Sequence, residues 1–177
     1  MFTEIKKRQY EGDQNLVDYT VPSGVKIIGQ EAFANCTNLC TIWLPESVEV
    51  IGKGAFFNCT SLEEIVIPPK VKCIKEHTFA YCESMGEIFI PDNVETIEDV
   101  AFLGCENLEK VHLTEYIVSL GKSVFYGCNK LKDIIVPETI IEMSPKAFKR
   151  CPSLSEDAIA SIEAAYKSMK IKKYVIG

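Results

Sequence analysis

Every twenty-third residue of this chain repeats its character. Phe33, Phe56, Phe79, Phe102, Phe125 and Phe148 fall in one column, and Cys36, Cys59, Cys82, Cys105, Cys128 and Cys151 in another. Leu39, Leu62, Met85, Leu108, Leu131 and Leu154 form a third, and Pro22, Pro45, Pro68, Pro91 and Pro137 a fourth, broken only by Thr114. Six repeats run from residue 21 to residue 159 without insertion or deletion. A unit this short cannot bury its own apolar face. It becomes stable by stacking on neighbouring copies, so the chain is bound to be a solenoid in which each coil touches only the next.

The unit reads Val/Ile-Pro-x-x-Val-x-x-Ile-Gly-x-x-Ala-Phe-x-x-Cys-x-x-Leu-x-x-Ile-x, and each part has a physical meaning. The segment around Ile42-Trp43-Leu44 alternates inward and outward as a strand does. Pro45 ends that strand because it has no N–H to donate. A second short extended piece follows, as in Val48-Glu49-Val50-Ile51. Gly29, Gly52 and Gly121 stand either where a side chain would clash or where φ must be positive. Ala55, Phe56, Cys59 and Leu62 recur at spacings of about three, which predicts a short helical or 3-10 arm facing inward. Strands of neighbouring coils should pair in parallel about 4.8 Å apart.

Residues 1–177 read as one solenoid domain with a cap at each end. In residues 1–20, Ile5, Tyr10, Leu16 and Tyr19 match the columns of Ile28, Phe33, Leu39 and Ile42, which predicts a degenerate half repeat. In residues 155–177, Ser155 with Glu156 and Asp157 is a helix start, and Ala158, Ile159, Ile162, Ala165 and Tyr166 give that helix one apolar face. Lys170 to Gly177 are expected to add a last strand.

The column pattern, almost unaltered in Pro45 to Ile65, resembles the BspA-like leucine-rich repeat family over residues 21 to 159. The resemblance implies a leucine-rich-repeat-like, right-handed coil of short parallel strands. It also implies a bacterial or protozoan protein at the cell surface or secreted, among relatives of which some act as adhesins toward host matrix proteins or other cells. The N-terminus, Met1 to Arg8, has no apolar segment after its charges, so no secretory signal or anchor is read in the chain as given.

Composition excludes several functions. The net charge is −6, and Lys and Arg gather only at Lys167 to Lys173, so the footprint of a nucleic-acid binder is missing. No run approaches the roughly 20 apolar residues of a spanning helix. The Cys column reads as small, inward-facing apolar residues. Its side chains run parallel, whereas a disulfide needs converging Cβ vectors and zinc a tetrahedral cluster. Cys40 and Cys73 lie outside the column. Cys73, His77 and Cys82 match no standard zinc spacing, and His77 reads as exposed. With no Ser/His/Asp set and no Gly-rich phosphate loop, neither an enzyme nor a cofactor is expected.

The strands supply the functional lead. The residue between two inward apolar positions must point outward, which gives the column Trp43, Val66, Phe89, His112 and Ile135, preceded by Thr20. Two residues earlier runs a second outward column: Asp18, Thr41, Glu64, Glu87, Lys110 and Asp133. An apolar and aromatic stripe bordered mainly by acids marks an interaction surface, with Trp43, Val66, Phe89, His112, Ile135, Glu64, Glu87 and Lys110 as its residues and a protein as its ligand. The competing readings are plain strand propensity and a face for self-association into a homo-oligomer.

Overall fold

The computed structural model describes the backbone of residues 3–176 and the side chains of residues 3–170. Each coil lays one short strand on each of two sides. The principal side carries β2 (Asp18–Thr20), β4 (Thr41–Trp43), β6 (Glu64–Ile65), β8 (Glu87–Phe89), β10 (Lys110–His112) and β12 (Asp133–Ile134). The second side carries β1 (Glu4–Ile5), β3 (Ile27–Ile28), β5 (Val50–Ile51), β7 (Cys73–Ile74), β9 (Thr96–Ile97), β11 (Ser119–Leu120) and β13 (Glu142–Met143). All pairings are parallel and join a residue to the one 23 positions on, as Ile42 joins Ile65 and Val111 joins Ile134. Both sides are interrupted at the same junction: β2-β4-β6 and β8-β10-β12 are separate sheets, as are β1-β3-β5 and β7-β9-β11-β13.

The core is a column per repeat position. Tyr10, Phe33, Phe56, Phe79, Phe102, Phe125 and Phe148 stack in one unbroken series, with ring centroids 5.2 to 5.6 Å apart and planes within 19°. That spacing exceeds the roughly 4.8 Å between strands, so the rings are slipped past one another, the offset arrangement their quadrupoles favour. The Cys column is reduced and buried. Each thiol also donates to the carbonyl of the stacked ring residue one coil back, as Cys36 to Tyr10 at 2.9 Å, Cys59 to Phe33 at 3.1 Å and Cys105 to Phe79 at 3.1 Å. Burial pushes the Cys105 thiol up to about 12 and that of Cys151 to about 11, which leaves them inert at neutral pH.

The arms are not helical as expected. They are successive turns in which amides alternate in direction. Ala32, Ala34 and Cys36 donate back to Gly29, Glu31 and Phe33, while Glu31, Phe33 and Asn35 donate across to Lys53, Ala55 and Phe57 of the next coil. A helix aims every amide along its own axis. Alternation instead needs left-handed residues, and Glu31 (φ 55°) and Asn35 (φ 62°) supply them. The same two positions recur as Arg8, Gly54, His77, Val100 and Ser123, and as Gly12, Asn58, Tyr81, Gly104, Gly127 and Arg150. A non-Gly residue is strained there, and amide hydrogen bonds to the next coil hold Arg8, Glu31, Asn35, Asn58, His77, Tyr81 and Val100 in place. His77 is one of these, half-buried rather than exposed, with Nδ1 3.1 Å from Glu76. Gly29 and Gly52 have no positive φ; a Cβ on either would lie 2.5 Å from a backbone nitrogen of the preceding coil, so close approach is their reason.

Both ends are covered. The N-terminal cap gives a strand to each of the two sides, β1 and β2, so it is nearly a whole coil rather than a half repeat. Its Tyr10 stacks on Phe33, and the Tyr10 and Tyr19 hydroxyls meet at 2.8 Å. At the other end lies one helix, α1 (Glu156–Ile176). Ser155 caps it by accepting from the Ala158 amide at 3.2 Å. The strand expected from Lys170 onward is a continuation of this helix through Ile176; Gly177 lies outside the described residues. Ala158, Ala165 and Met169 are buried against the last coil, with Ile162 and Tyr166 partly so. Ile159 is exposed, because it sits one residue off the row at 158, 162, 165 and 169 that faces the coil.

Thr114, which breaks the Pro column, leaves its buried hydroxyl without a partner. Its equivalents Pro45, Pro68 and Pro91 have no amide to lose. Thr114→Pro should therefore raise stability by about 1 kcal/mol, by removing an orphaned polar atom and by stiffening the unfolded chain. Urea titration checks this; a loss of stability would mean that the Thr114 backbone does not share the geometry of its column.

Candidate partner-binding surface

The alternation of the principal strands places the stripe as expected. Trp43, Val66, Phe89 and Ile135 are 53%, 81%, 63% and 60% exposed, while Ile42, Ile65, Ile88, Val111 and Ile134 beside them are buried. His112 completes the row. Its ring stacks on Phe89 at 4.0 Å and 2°, and its Nε2 meets the carboxylate of Glu87. The register brings these together: His112 lies opposite Phe89, and Lys110 opposite Glu87. In the second column Glu64, Glu87, Lys110 and Asp133 are exposed and Thr41 is half-buried.

The interruption between β6 and β8 adds a feature that sequence reasoning missed. It opens a cleft of about 730 Å³ where Val66 and Phe89 meet Glu63, Glu64, Glu87, Glu109 and Lys110. Glu63 and Glu109 precede their strands by one residue, and Gly86 stands between them in the same column. The break in acid–Gly–acid was the available signal. Glu109 is held by Lys132 at 2.9 Å, a pair that holds its carboxyl below the usual range, through a hydrogen bond first and charge second.

The Cys73, His77 and Cys82 set does not converge. Cys82 donates to the Phe56 carbonyl inside the core and Cys73 turns toward Glu98. Among the described residues no group of three His, Cys, Asp or Glu side chains is placed to hold a metal ion, and no helix is long and apolar enough to cross a membrane.

The pattern and the geometry agree with known repeat proteins. The family model for the BspA type leucine rich repeat region matches residues 3–115 and 74–175, in six copies. A leucine-rich repeat protein of T. pallidum is 31% identical with a TM-score of 0.88, covering 92% of this chain and 76% of its own. A leucine-rich repeat protein of Bacteroides ovatus is 32% identical with a TM-score of 0.61, covering 79% of this chain and 45% of its own. A leucine rich cell surface protein of Faecalibacterium prausnitzii is 25% identical with a TM-score of 0.53, covering 84% of this chain and 55% of its own. No curated protein matches the sequence. The chain is a parallel solenoid of leucine-rich repeats, and it belongs to the BspA-type leucine-rich repeat family.

Proposed function

We propose that this chain is a non-enzymatic protein-binding module of the cell-surface or adhesin type, and that it holds its ligand on the principal sheet. The observation that carries the reading is the exposed row of Trp43, Val66, Phe89 and Ile135, completed by His112, on successive coils of the principal side. A row of exposed apolar and aromatic side chains marks an interaction surface, and a solenoid whose coils are fixed by hydrogen bonds presents it with little ordering cost. The cell-surface role draws support from the similar F. prausnitzii protein, a leucine rich cell surface protein.

The test is a pull-down from host-matrix and cell-surface extracts, comparing the natural chain with the Trp43→Ala, Phe89→Ala double variant. Both residues are exposed, so the variant keeps its fold, and circular dichroism verifies that. A captured protein should bind the variant at least tenfold more weakly, the usual weight of aromatic anchors. Equal capture by both chains overturns the assignment of the face. Sedimentation of the natural chain alone adds the other arm: a dimer that the double variant dissolves would make the stripe a self-association face.

A further inference from the structure

The acids beside the stripe outnumber the cations on their own side. The junction where both sheets are interrupted has two openings. The one on the principal side gathers Glu63, Glu64, Glu87 and Glu109 around the single Lys110. The one on the second side, about 500 Å³, gathers Lys70, Lys72 and Lys75 around the single Glu49. At this junction charge is thus segregated between the two sides, and the apolar stripe lies on the acidic one. Along the principal side, six carboxylates (Asp18, Glu63, Glu64, Glu87, Glu109 and Asp133) stand against the two ammonium groups of Lys110 and Lys132. Glu109 is taken by Lys132 and Glu87 by His112. Among the described residues the side chains of Glu63 and Glu64 have no hydrogen-bond or ion-pair partner.

Neighbouring unpaired carboxylates repel, and an incoming cation relieves that repulsion. The exposed apolar rim of Val66 and Phe89 suits a Lys or Arg side chain in particular, since its methylene stem covers apolar surface while its head reaches a carboxylate. The same charges disfavour a second copy laid face to face, an anionic membrane and a nucleic acid. We propose that the occupant of the stripe is a cationic polypeptide segment of another protein. Its large apolar side chains cover Trp43, Val66, Phe89 and Ile135, and its Lys or Arg side chains enter the cleft to meet Glu63 and Glu64. This rests on the protein-binding reading above.

The full chain tests it with three synthetic peptides of the same apolar residues, whose polar positions are all Lys/Arg, all Gln or all Glu. Trp43, the only Trp, reports occupancy by its fluorescence. The Lys/Arg peptide should bind at least roughly tenfold more tightly than the Gln peptide, with the Glu peptide weakest, and its affinity should fall as salt rises through the range where the Debye length shrinks from about 10 to about 3 Å. Glu63→Gln with Glu64→Gln, and separately Phe89→Ala, should each weaken it roughly fivefold or more. Equal binding of the three peptides, no binding of the Lys/Arg peptide, or binding untouched by Glu63→Gln and Glu64→Gln overturns the charge match. Binding untouched by Phe89→Ala is adhesion away from the stripe and overturns it too. The two readings fail separately. A natural partner lost with Trp43→Ala and Phe89→Ala but indifferent to salt removes the cationic segment and keeps the protein-binding face, whereas capture indifferent to those two substitutions removes the face itself.

Discussion

Phe102→Ala should lower the stability of the chain by about 3–5 kcal/mol, the range for deleting a buried Phe side chain. Phe102 is fully buried in the middle of the ring series, 5.3 Å from Phe79 and 5.4 Å from Phe125. Truncation removes both stacking contacts and leaves a void with rigid walls. The walls are rigid because the amides of Phe79 and Phe102 donate to Ala101 and Val124 of the next coil, at 2.9 Å each, which fixes the coil spacing. A site that cannot collapse shows the high end of the cavity penalty. Stability in a stack is a sum of coil and neighbour terms, so a void at the centre also loosens one half from the other. Urea titration followed by Trp43 fluorescence, which reports the N-terminal half, and by circular dichroism, which reports the whole, should show a lowered midpoint and two curves that begin to separate. A loss under about 1 kcal/mol would mean that the solenoid closes over the gap and that the ring series is not what sets the spacing.

The repeat columns made the architecture legible because they are side-chain statements, and burial is a side-chain property. Phe, Cys, Leu and Ile recur where the interior is, and the outward row of Trp43, Val66, Phe89, His112 and Ile135 follows from strand alternation alone. The arms were misread for the same reason. Ala55, Phe56, Cys59 and Leu62 face inward at intervals of three whether the chain is helical or a series of turns. What separates the two is the direction of the amides, which no side-chain pattern records. The left-handed residues give little away: Gly54, Asn58 and His77 suit that conformation, whereas Val100 and Tyr81 do not. The cleft between β6 and β8 was hidden likewise, because a column predicts that each coil resembles the last and says nothing of where two coils fail to pair. At the C-terminus the row of Ala158, Ile162, Ala165 and Met169 was partly visible, and Ile159 was misassigned by one residue because an apolar type was read as a buried one.

Removing α1, by ending the chain at Leu154, should cost more than any single core substitution and should change the association state. The helix does two things that its side chains make explicit. Ala158, Ala165, Met169, Ile162 and Tyr166 cover apolar surface of the last coil, and at about 1.5–3 kcal/mol for each large side chain buried this outweighs the ordering of a segment with strong helix formers. The helix also meets polar groups that the stack leaves open. Val136 donates to the Ser161 hydroxyl at 3.2 Å, and the Tyr166 hydroxyl donates to the Ser144 carbonyl at 2.7 Å. Without α1, β12 and β13 become bare edges backed by exposed core, which is a template for pairing with another chain. The truncated chain should melt at least roughly 15 °C lower than the intact one and sediment as concentration-dependent oligomers. Ala165→Glu provides the control in a full-length chain: a charge forced into the buried contact should detach the helix and reproduce both effects in weaker form. A truncated chain that stays monomeric and melts within about 3 °C of the intact one would mean that the last coil protects its own edge. The physical case against that outcome is the repeat itself. Another 23-residue coil would cover the core only by presenting the same unpaired strands one step further along, and a helix, whose amides and carbonyls are satisfied within itself, ends the series instead of extending it.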